Sequence, residues 1–184
     1  EESAAPKQRA PVANSRKLDC SQLIDMTSFR EALGEKEPMA MRDVSKGVAE
    51  ANASCSLLRG GRALSPKEQE ALIKRTGKLG VIAGDELCNI TVNCNTVEKE
   101  ESFLARCKEL KLAQDESAGF TACVKKVPHG PVDVMSFRFL DPETKCVIEV
   151  RGGPSMVDND FIGKCAKAAR DLIGPEQISE RSEE

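Results

Sequence analysis

Residues 88–95, CNITVNCN, carry the cleanest alternation of apolar and polar side chains in the chain. The apolar positions are Cys88, Ile90, Val92 and Cys94, and the polar positions are Asn89, Thr91, Asn93 and Asn95. Successive side chains of a strand point to opposite faces of its sheet, so this pattern predicts a strand with one buried face. Six residues of extended chain separate Cys88 from Cys94 by about 20 Å, so these two cysteines cannot bond to each other.

Further strands are predicted on both sides of this segment. Downstream, the meander 119–127, 132–140 and 145–151 turns at Pro128-His129-Gly130-Pro131 and at Asp141-Pro142-Glu143. Met135, Phe137 and Phe139 share one face of its middle strand. Upstream, 39–45 and 53–59 are interpreted as paired strands around Lys46-Gly47, with a helix over 44–51 as the alternative.

Four helices follow from capping residues and helical spacing. The first runs from Asp19 to Leu33 and ends at Gly34, and the second begins at Ser65, which forms a capping box with Glu68, and ends at Gly77. The third begins at Asn95, with Glu98 at its third position. The last begins at Ser155 or Asp158 and ends at Gly174-Pro175. Cys107 lies on the apolar face of the third helix and Cys165 on that of the last.

These elements together predict an α+β fold, in which helices pack mainly on one face of an antiparallel sheet. Residues 18–174 are interpreted as a single disulfide-rich domain. Residues 1–17, rich in Ala, Pro and charge, are expected to form a flexible tether, and residues 175–184 a disordered acidic tail.

An internal similarity raises the hypothesis of two pseudo-repeats. Cys55 opens a strand that leaves through Arg59-Gly60-Gly61, and Cys146 opens one that leaves through Arg151-Gly152-Gly153. Each exit precedes a helix that begins near a Ser. A repeat seen twice is also compatible with chance.

The chain contains eight cysteines in 184 residues, and none forms a Cys-x-x-Cys pair. This spacing lacks the short knuckle of zinc sites and favours disulfides in an oxidising compartment. The predicted half-cystines are Cys20, Cys55, Cys88, Cys94, Cys107, Cys123, Cys146 and Cys165. If the helices share one face, Cys20, Cys107 and Cys165 should bond mainly to strand cysteines, which leaves one strand-to-strand pair. Eight cysteines allow 105 connectivities, and the sequence does not choose among them.

Composition excludes several partners. The net charge is −3 with no basic patch, so no attraction to nucleic acid is expected. No apolar run is long enough to cross a bilayer, so no transmembrane segment is predicted. A lipid anchor upstream of residue 1 would explain the tether, and an ordinary disordered terminus would explain it equally well.

No catalytic constellation stands out, and no cofactor or metal is expected. His129 is the only histidine and, between Pro128 and Gly130, is interpreted as a turn residue. The exits at Arg59, Gly60 and Gly61 and at Arg151, Gly152 and Gly153 are candidate anion-binding turns beside helix N-termini. The alternative is that the paired glycines only turn the chain.

Two glycosylation sequons are present, Asn52-Ala53-Ser54 and Asn89-Ile90-Thr91. The alternation places Asn89 on the outward face of its strand. They matter only in a eukaryotic secretory pathway.

The pattern Leu18-Asp19-Cys20-Ser21-Gln22-Leu23-Ile24, the helix end Ala32-Leu33-Gly34, the strand opening at Cys55 and the closing unit with Cys146 and Cys165 resemble a known group of proteins. These are small secreted bacterial lipoproteins of unknown function, related to extracellular sensor domains of mycobacterial receptor kinases. The chain differs in having about twice their cysteines, and Ser56 and Leu57 stand where an aromatic residue is common. The resemblance implies a non-enzymatic α+β domain at the cell envelope and carries over no catalytic residue.

We therefore expect a non-catalytic binding or scaffold domain that is secreted, periplasmic or anchored at the outer surface, with an unknown protein or small ligand as partner. One alternative is a secreted hydrolase that works through carboxylates in a cleft. Another is a secreted inhibitor or effector whose stapled loops engage another protein.

Overall fold

A computed structural model describes residues 17–94, 99–153 and 156–178 of the chain. Its seven-stranded antiparallel sheet has the order β1-β2-β5-β9-β8-β7-β6, and β3 and β4 form a separate pair. The strands are β1 (Met39–Asp43), β2 (Ala53–Arg59), β3 (Arg62–Ala63), β4 (Val81–Ile82), β5 (Asp85–Asn93), β6 (Ala113–Asp115), β7 (Ala122–His129), β8 (Val132–Leu140) and β9 (Val147–Gly152). The helices are α1 (Cys20–Leu23), α2 (Met26–Leu33), α3 (Pro66–Thr76), α4 (Glu100–Glu109), α5 (Asn159–Leu172) and α6 (Pro175–Ile178).

The predicted alternating strand is β5, and it lies at the centre of the sheet. Ile90 is in register with Cys55 on β2 and with Val150 on β9, and all three side chains are buried. The same line of buried, in-register residues continues across the sheet to Phe137 on β8 and Val124 on β7. The α+β class and the buried face of this strand are therefore confirmed.

The strands around β5 agree with the expectation in outline. β8 covers 132–140 as predicted, while β7 begins and ends later than 119–127. β1 and β2 pair antiparallel, with Met41 opposite Leu57, and a short 3-10 helix at Ser45–Gly47 joins them. Strand pairing, rather than the alternative helix over 44–51, is what the chain adopts there.

The helix α5 lies across the core face of the sheet. Asp158 caps it, and its side chain accepts hydrogen bonds from the backbone N–H groups of Asp160 and Phe161. Ile162, Cys165 and Ala169 are fully buried against the sheet. The stripe predicted from helical spacing is thus the face that closes the core.

The first predicted helix is divided in two, which corrects the expectation of one helix from Asp19 to Leu33. Ile24 takes an extended conformation and is buried, so the helix ends there and a second helix begins after it. Asp25 caps the second piece by accepting a hydrogen bond from the Ser28 backbone N–H. Each short helix contributes a buried residue to the main core, Leu23 from the first and Phe29 from the second.

The two halves that resemble each other in sequence are not shown to be repeats by the topology. The helix α3 has the predicted capping box between Ser65 and Glu68, but none of its residues is buried. The helix α5 is the main core helix. The first Arg-Gly-Gly exit leads into β3, whereas the second leads directly towards α5.

The helix α4 packs on the opposite face of the sheet from α5. Phe103 and Cys107 contact Cys123 and Val147 there, in a cluster separate from the main core. Helices thus lie mainly, but not all, on one face. The cap predicted at Asn95 is outside the described residues, and α4 begins at Glu100.

The first residues of the predicted disordered tail are ordered, which corrects the expectation for 175–178. Pro175–Ile178 forms α6, in which Ile178 is fully buried and packed in the main core. A single apolar residue in a polar tail thus docks the chain beyond residue 174. Within the described ranges, no helix has the length and apolar content to cross a membrane.

Candidate functional site

Six of the eight predicted half-cystines are bonded. The bridges are Cys20–Cys55, Cys94–Cys146 and Cys107–Cys123. The first and third join a helix to a strand and the second joins two strand ends, which follows the predicted division. Cys94 bonds elsewhere than to Cys88, as the strand geometry requires.

Cys88 and Cys165 are the exception to the prediction that every cysteine is bonded. This structure has no bond between them, and both are buried where β5 and α5 pack together. A hydrogen bond with the Cys165 thiol, together with burial, raises the pKa of the Cys88 thiol. The two side chains therefore share one buried site of the main core.

The first candidate anion-binding turn is occupied by the protein's own carboxylate. Two nitrogens of Arg59 donate to Glu35 Oε2, at 2.9 and 2.6 Å, and the guanidinium lies 5.9 Å from the Phe161 ring centre. The hydrogen bond from Arg59 lowers the pKa of Glu35. Gly60 and Gly61 turn the chain from β2 into β3, and the next helix is capped by its own Ser65.

In the second candidate turn, the two glycines and the arginine have different roles. Gly152 and Gly153 are packing residues, because a side chain at either position would collide with Ile162 or with the Glu86 backbone. The N-terminus of α5 is capped by Asp158. Arg151 is exposed and points to the other face of the sheet, away from that helix.

Arg151 belongs to a group of polar side chains on the face opposite the core. We call this group the open face, and it consists of Lys125, Ser136, Arg138, Glu149 and Arg151. The register places them side by side, with Ser136 between Lys125 and Arg151, and Arg138 directly opposite Glu149. Three adjoining cavities of about 300 to 320 Å³ cover this surface, and Glu149 lines all three.

The charged side chains of the open face have no polar partner among the described residues. Among the described residues, the side chains of Lys125, Arg138 and Arg151 have no hydrogen bond or ion pair, and the same holds for Glu149. Three cations and two carboxylates, Glu149 and Glu50, line the cavities, so the local charge is positive on a chain whose net charge is −3. Guanidinium groups are common receptors for carboxylates and phosphates.

The neighbouring strands β2 and β5 carry a different kind of polar surface. The Asn89 amide donates to the hydroxyls of Ser54 and Ser56, each at 3.1 Å, and Ser56 donates to Glu86. Asn89 is buried, as is Asn52, whose side-chain oxygen accepts from the Cys94 backbone N–H. Both sequons are thus enclosed in the folded chain, and Asn89 lies in a satisfied network instead of facing solvent.

Apolar residues border the open face. Leu110 and Val127 are 56% and 46% exposed, and Val157 is 39% exposed. Each lines one of the cavities. In small-molecule sites, a few polar groups fix the orientation of the ligand and apolar contact adds affinity.

Sequence reasoning identified Arg151 but missed Lys125, Ser136, Arg138 and Glu149. The signal was available, because the alternation that places Phe137 in the core also places Ser136 and Arg138 on the other face. The missing information was the register that brings three strands together. Comparison of the chain with protein-family models, curated proteins and solved structures finds no match.

Proposed function

We propose that this protein is a non-catalytic binding domain of the cell envelope or of the secreted fraction, and that it holds a small acidic ligand on its open face. The observation that carries the proposal is a set of three unpaired cations on this face, in which Arg138 lies directly opposite Glu149 while Lys125 and Arg151 flank Ser136. Carboxylate or phosphate oxygens would pair with the guanidinium groups, and Glu149 would accept a hydrogen bond from a ligand hydroxyl or ammonium.

The dimensions support a small ligand. Each of the adjoining cavities, at about 300 to 320 Å³, is at the lower end of the range for ligand sites. The floor is formed by the paired strands β7, β8 and β9, so the charged side chains stand on a rigid support.

The hydrolase alternative receives less support. A general acid of that type needs a carboxyl group with a raised pKa. Where the carboxyl pKa shifts clearly among the described residues, at Asp25, Glu35, Asp43 and Glu68, it is lowered. None of these four groups lies on the open face.

The inhibitor alternative expects disulfides that staple exposed loops. All six bonded cysteines are buried, and their bridges join helices and strands of the two apolar clusters. The bridges support the interior rather than a protruding loop. They also favour an oxidising compartment, which is the basis for the proposed location.

Titration calorimetry with citrate and with inorganic phosphate as probes tests the proposed function. We expect citrate to bind and the double variant Arg138→Gln/Arg151→Gln to weaken binding by at least about 10-fold, because a hydrogen bond to a charged group contributes about 1.5 to 3 kcal/mol. The matched control is Arg75→Gln/Lys78→Gln, which removes the same charge from exposed positions in the last turn of α3 and just beyond its end. Failure of both probes to bind the native protein, or equal losses in the two double variants, would contradict the proposal.

A further inference from the structure

The two cysteines outside the bridges occupy one buried site. Cys88 is on the central strand β5 and Cys165 is on the core helix α5, and both side chains are 0% exposed. They belong to the same apolar cluster as the bridges Cys20–Cys55 and Cys94–Cys146.

The close approach of α5 to the sheet depends on a residue beside Cys88. Gly152 on β9 is in register with Cys88, and a Cβ atom at that position would lie 2.7 Å from Ile162 Cδ1. Ile162 precedes Cys165 by three residues, so the two share one face of the helix. The absence of a side chain at Gly152 therefore lets α5 approach the strand at the level of the Cys88 sulfur.

The pair also completes a pattern in the other bridges. Cys20–Cys55 and Cys107–Cys123 each join one helix to one strand, and Cys88 and Cys165 are likewise a strand residue and a helix residue. Both side chains are fully buried in one cluster between facing elements, and the Cys165 thiol raises the pKa of Cys88, so the two sulfur atoms lie near each other. In an oxidising compartment, neighbouring thiols of this kind are oxidised during folding.

We propose that Cys88 and Cys165 close to a fourth disulfide that ties α5 to the centre of the sheet. The oxidant is a low-molecular-weight disulfide such as oxidised glutathione. One cysteine, as its thiolate, attacks a glutathione sulfur and releases one reduced glutathione, and the second cysteine then displaces the other. Two protein thiols become one disulfide, and two electrons and two protons end on two molecules of reduced glutathione.

The site controls when this oxidation occurs. Burial and the hydrogen bond raise the pKa of Cys88, so the reactive thiolate is scarce in the folded chain. Neither sulfur is open to solvent. Exchange therefore takes place before α5 has packed or when it opens locally, and the closed bond then resists reduction in the native state.

Alkylation in denaturant tests the proposal on protein refolded in mixed oxidised and reduced glutathione. The unreduced protein is denatured with iodoacetamide present, and its intact mass and peptides are measured. We expect no alkylated cysteine, and a peptide that joins Cys88 to Cys165. Alkylation of both cysteines would overturn the proposal. In the control variant Cys88→Ala, Cys165 is expected to be alkylated or to carry one glutathione, and a Cys165 bonded to another protein cysteine there would also overturn the proposal.

A stability comparison separates the covalent bond from packing. The double variant Cys88→Ala/Cys165→Ala removes the same sulfur atoms whether or not they are bonded. Its urea midpoint is compared with that of the native chain, first with all bridges intact and then after full reduction of both proteins. We expect the difference in midpoint to be larger in the first comparison. Equal differences in the two states would show that the pair contributes packing only.

Discussion

At the residue scale, Arg59 is paired with a carboxylate, Glu35, whereas the arginines of the open face are unpaired among the described residues. The Glu35 side chain is only 8% exposed, and Arg59 donates to it through two nitrogens. That hydrogen bonding outweighs burial and lowers the pKa of the carboxyl group. Because the ionised carboxylate is the stabilising form, its contribution is complete above the ordinary carboxyl pKa and disappears as the pH falls through the lowered value.

Glu35→Gln is therefore expected to reduce the free energy of unfolding at neutral pH by about 1 kcal/mol, a value discounted for the one-third exposure of Arg59. The difference from the native chain should shrink as the pH falls below about 4. Urea unfolding followed by circular dichroism across this range measures it. The control is Glu31→Gln, an exposed position on α2, and a pH-independent difference for Glu35→Gln would contradict the assignment.

At the element scale, the junction of β5 and β9 depends on a second close approach. Gly153 follows β9, its backbone N–H donates to the Leu87 carbonyl, and an added Cβ would collide with the backbone of Glu86. The strand ends cannot separate without breaking the pairing that supports the open face. A glycine is needed here for space and not for an unusual backbone angle.

Gly153→Ala is expected to destabilise the fold by about 1 to 3 kcal/mol, because the backbone of β5 must shift to accept the methyl group. Gly47→Ala is the matched control, since nothing lies within 4 Å of a Cβ there and the substitution adds the same group. Urea midpoints of the two variants are compared. Equal stability would mean that the strand ends are more loosely packed than the structure has them.

At the scale of the whole molecule, the three bridges hold different layers together. Cys20–Cys55 joins α1 to β2, Cys94–Cys146 joins the end of β5 to the start of β9, and Cys107–Cys123 attaches α4 on the opposite face. Their sequence separations are 35, 52 and 16 residues respectively. Loop entropy in the unfolded chain therefore differs among them.

Removing the bridge that closes the longer loop is expected to lower the free energy of unfolding more than removing the bridge that closes the shorter loop. The double variant Cys94→Ala/Cys146→Ala should lose about 4 kcal/mol, and Cys107→Ala/Cys123→Ala about 3 kcal/mol, in a chain-entropy account of disulfides. Both pairs are buried, so the packing loss is comparable. Urea unfolding of unreduced protein measures both values, and a larger loss for the shorter bridge would rule out loop length as the controlling quantity.

Much of the fold was accessible from local patterns. The alternation at Cys88–Asn93, the capping box at Ser65 and the cap at Asp158 each depend on residues close in sequence, and each is present in the structure. Errors arose where distant packing overrides local preference. Ile24 interrupts a predicted helix with an extended and buried residue, and Ile178 packs in the core although it was predicted to lie in a disordered tail.

The candidate site was harder to predict, for the same reason. Arg138 and Glu149 lie on different strands, and only their pairing puts them opposite each other. A one-residue change of register would move each charged side chain to the core face. The polar half of each alternation was visible, but the partners of each strand were not.

The sequence by itself determined the α+β class, the buried face of the central strand and the presence of a disulfide framework, because side-chain periodicity and cysteine spacing act over a few residues. The tertiary structure alone decided which cysteines meet, which face receives α4 and where Lys125, Arg138 and Arg151 gather. Those outcomes join residues tens of positions apart, and they are selected by close packing of the whole core rather than by any local preference.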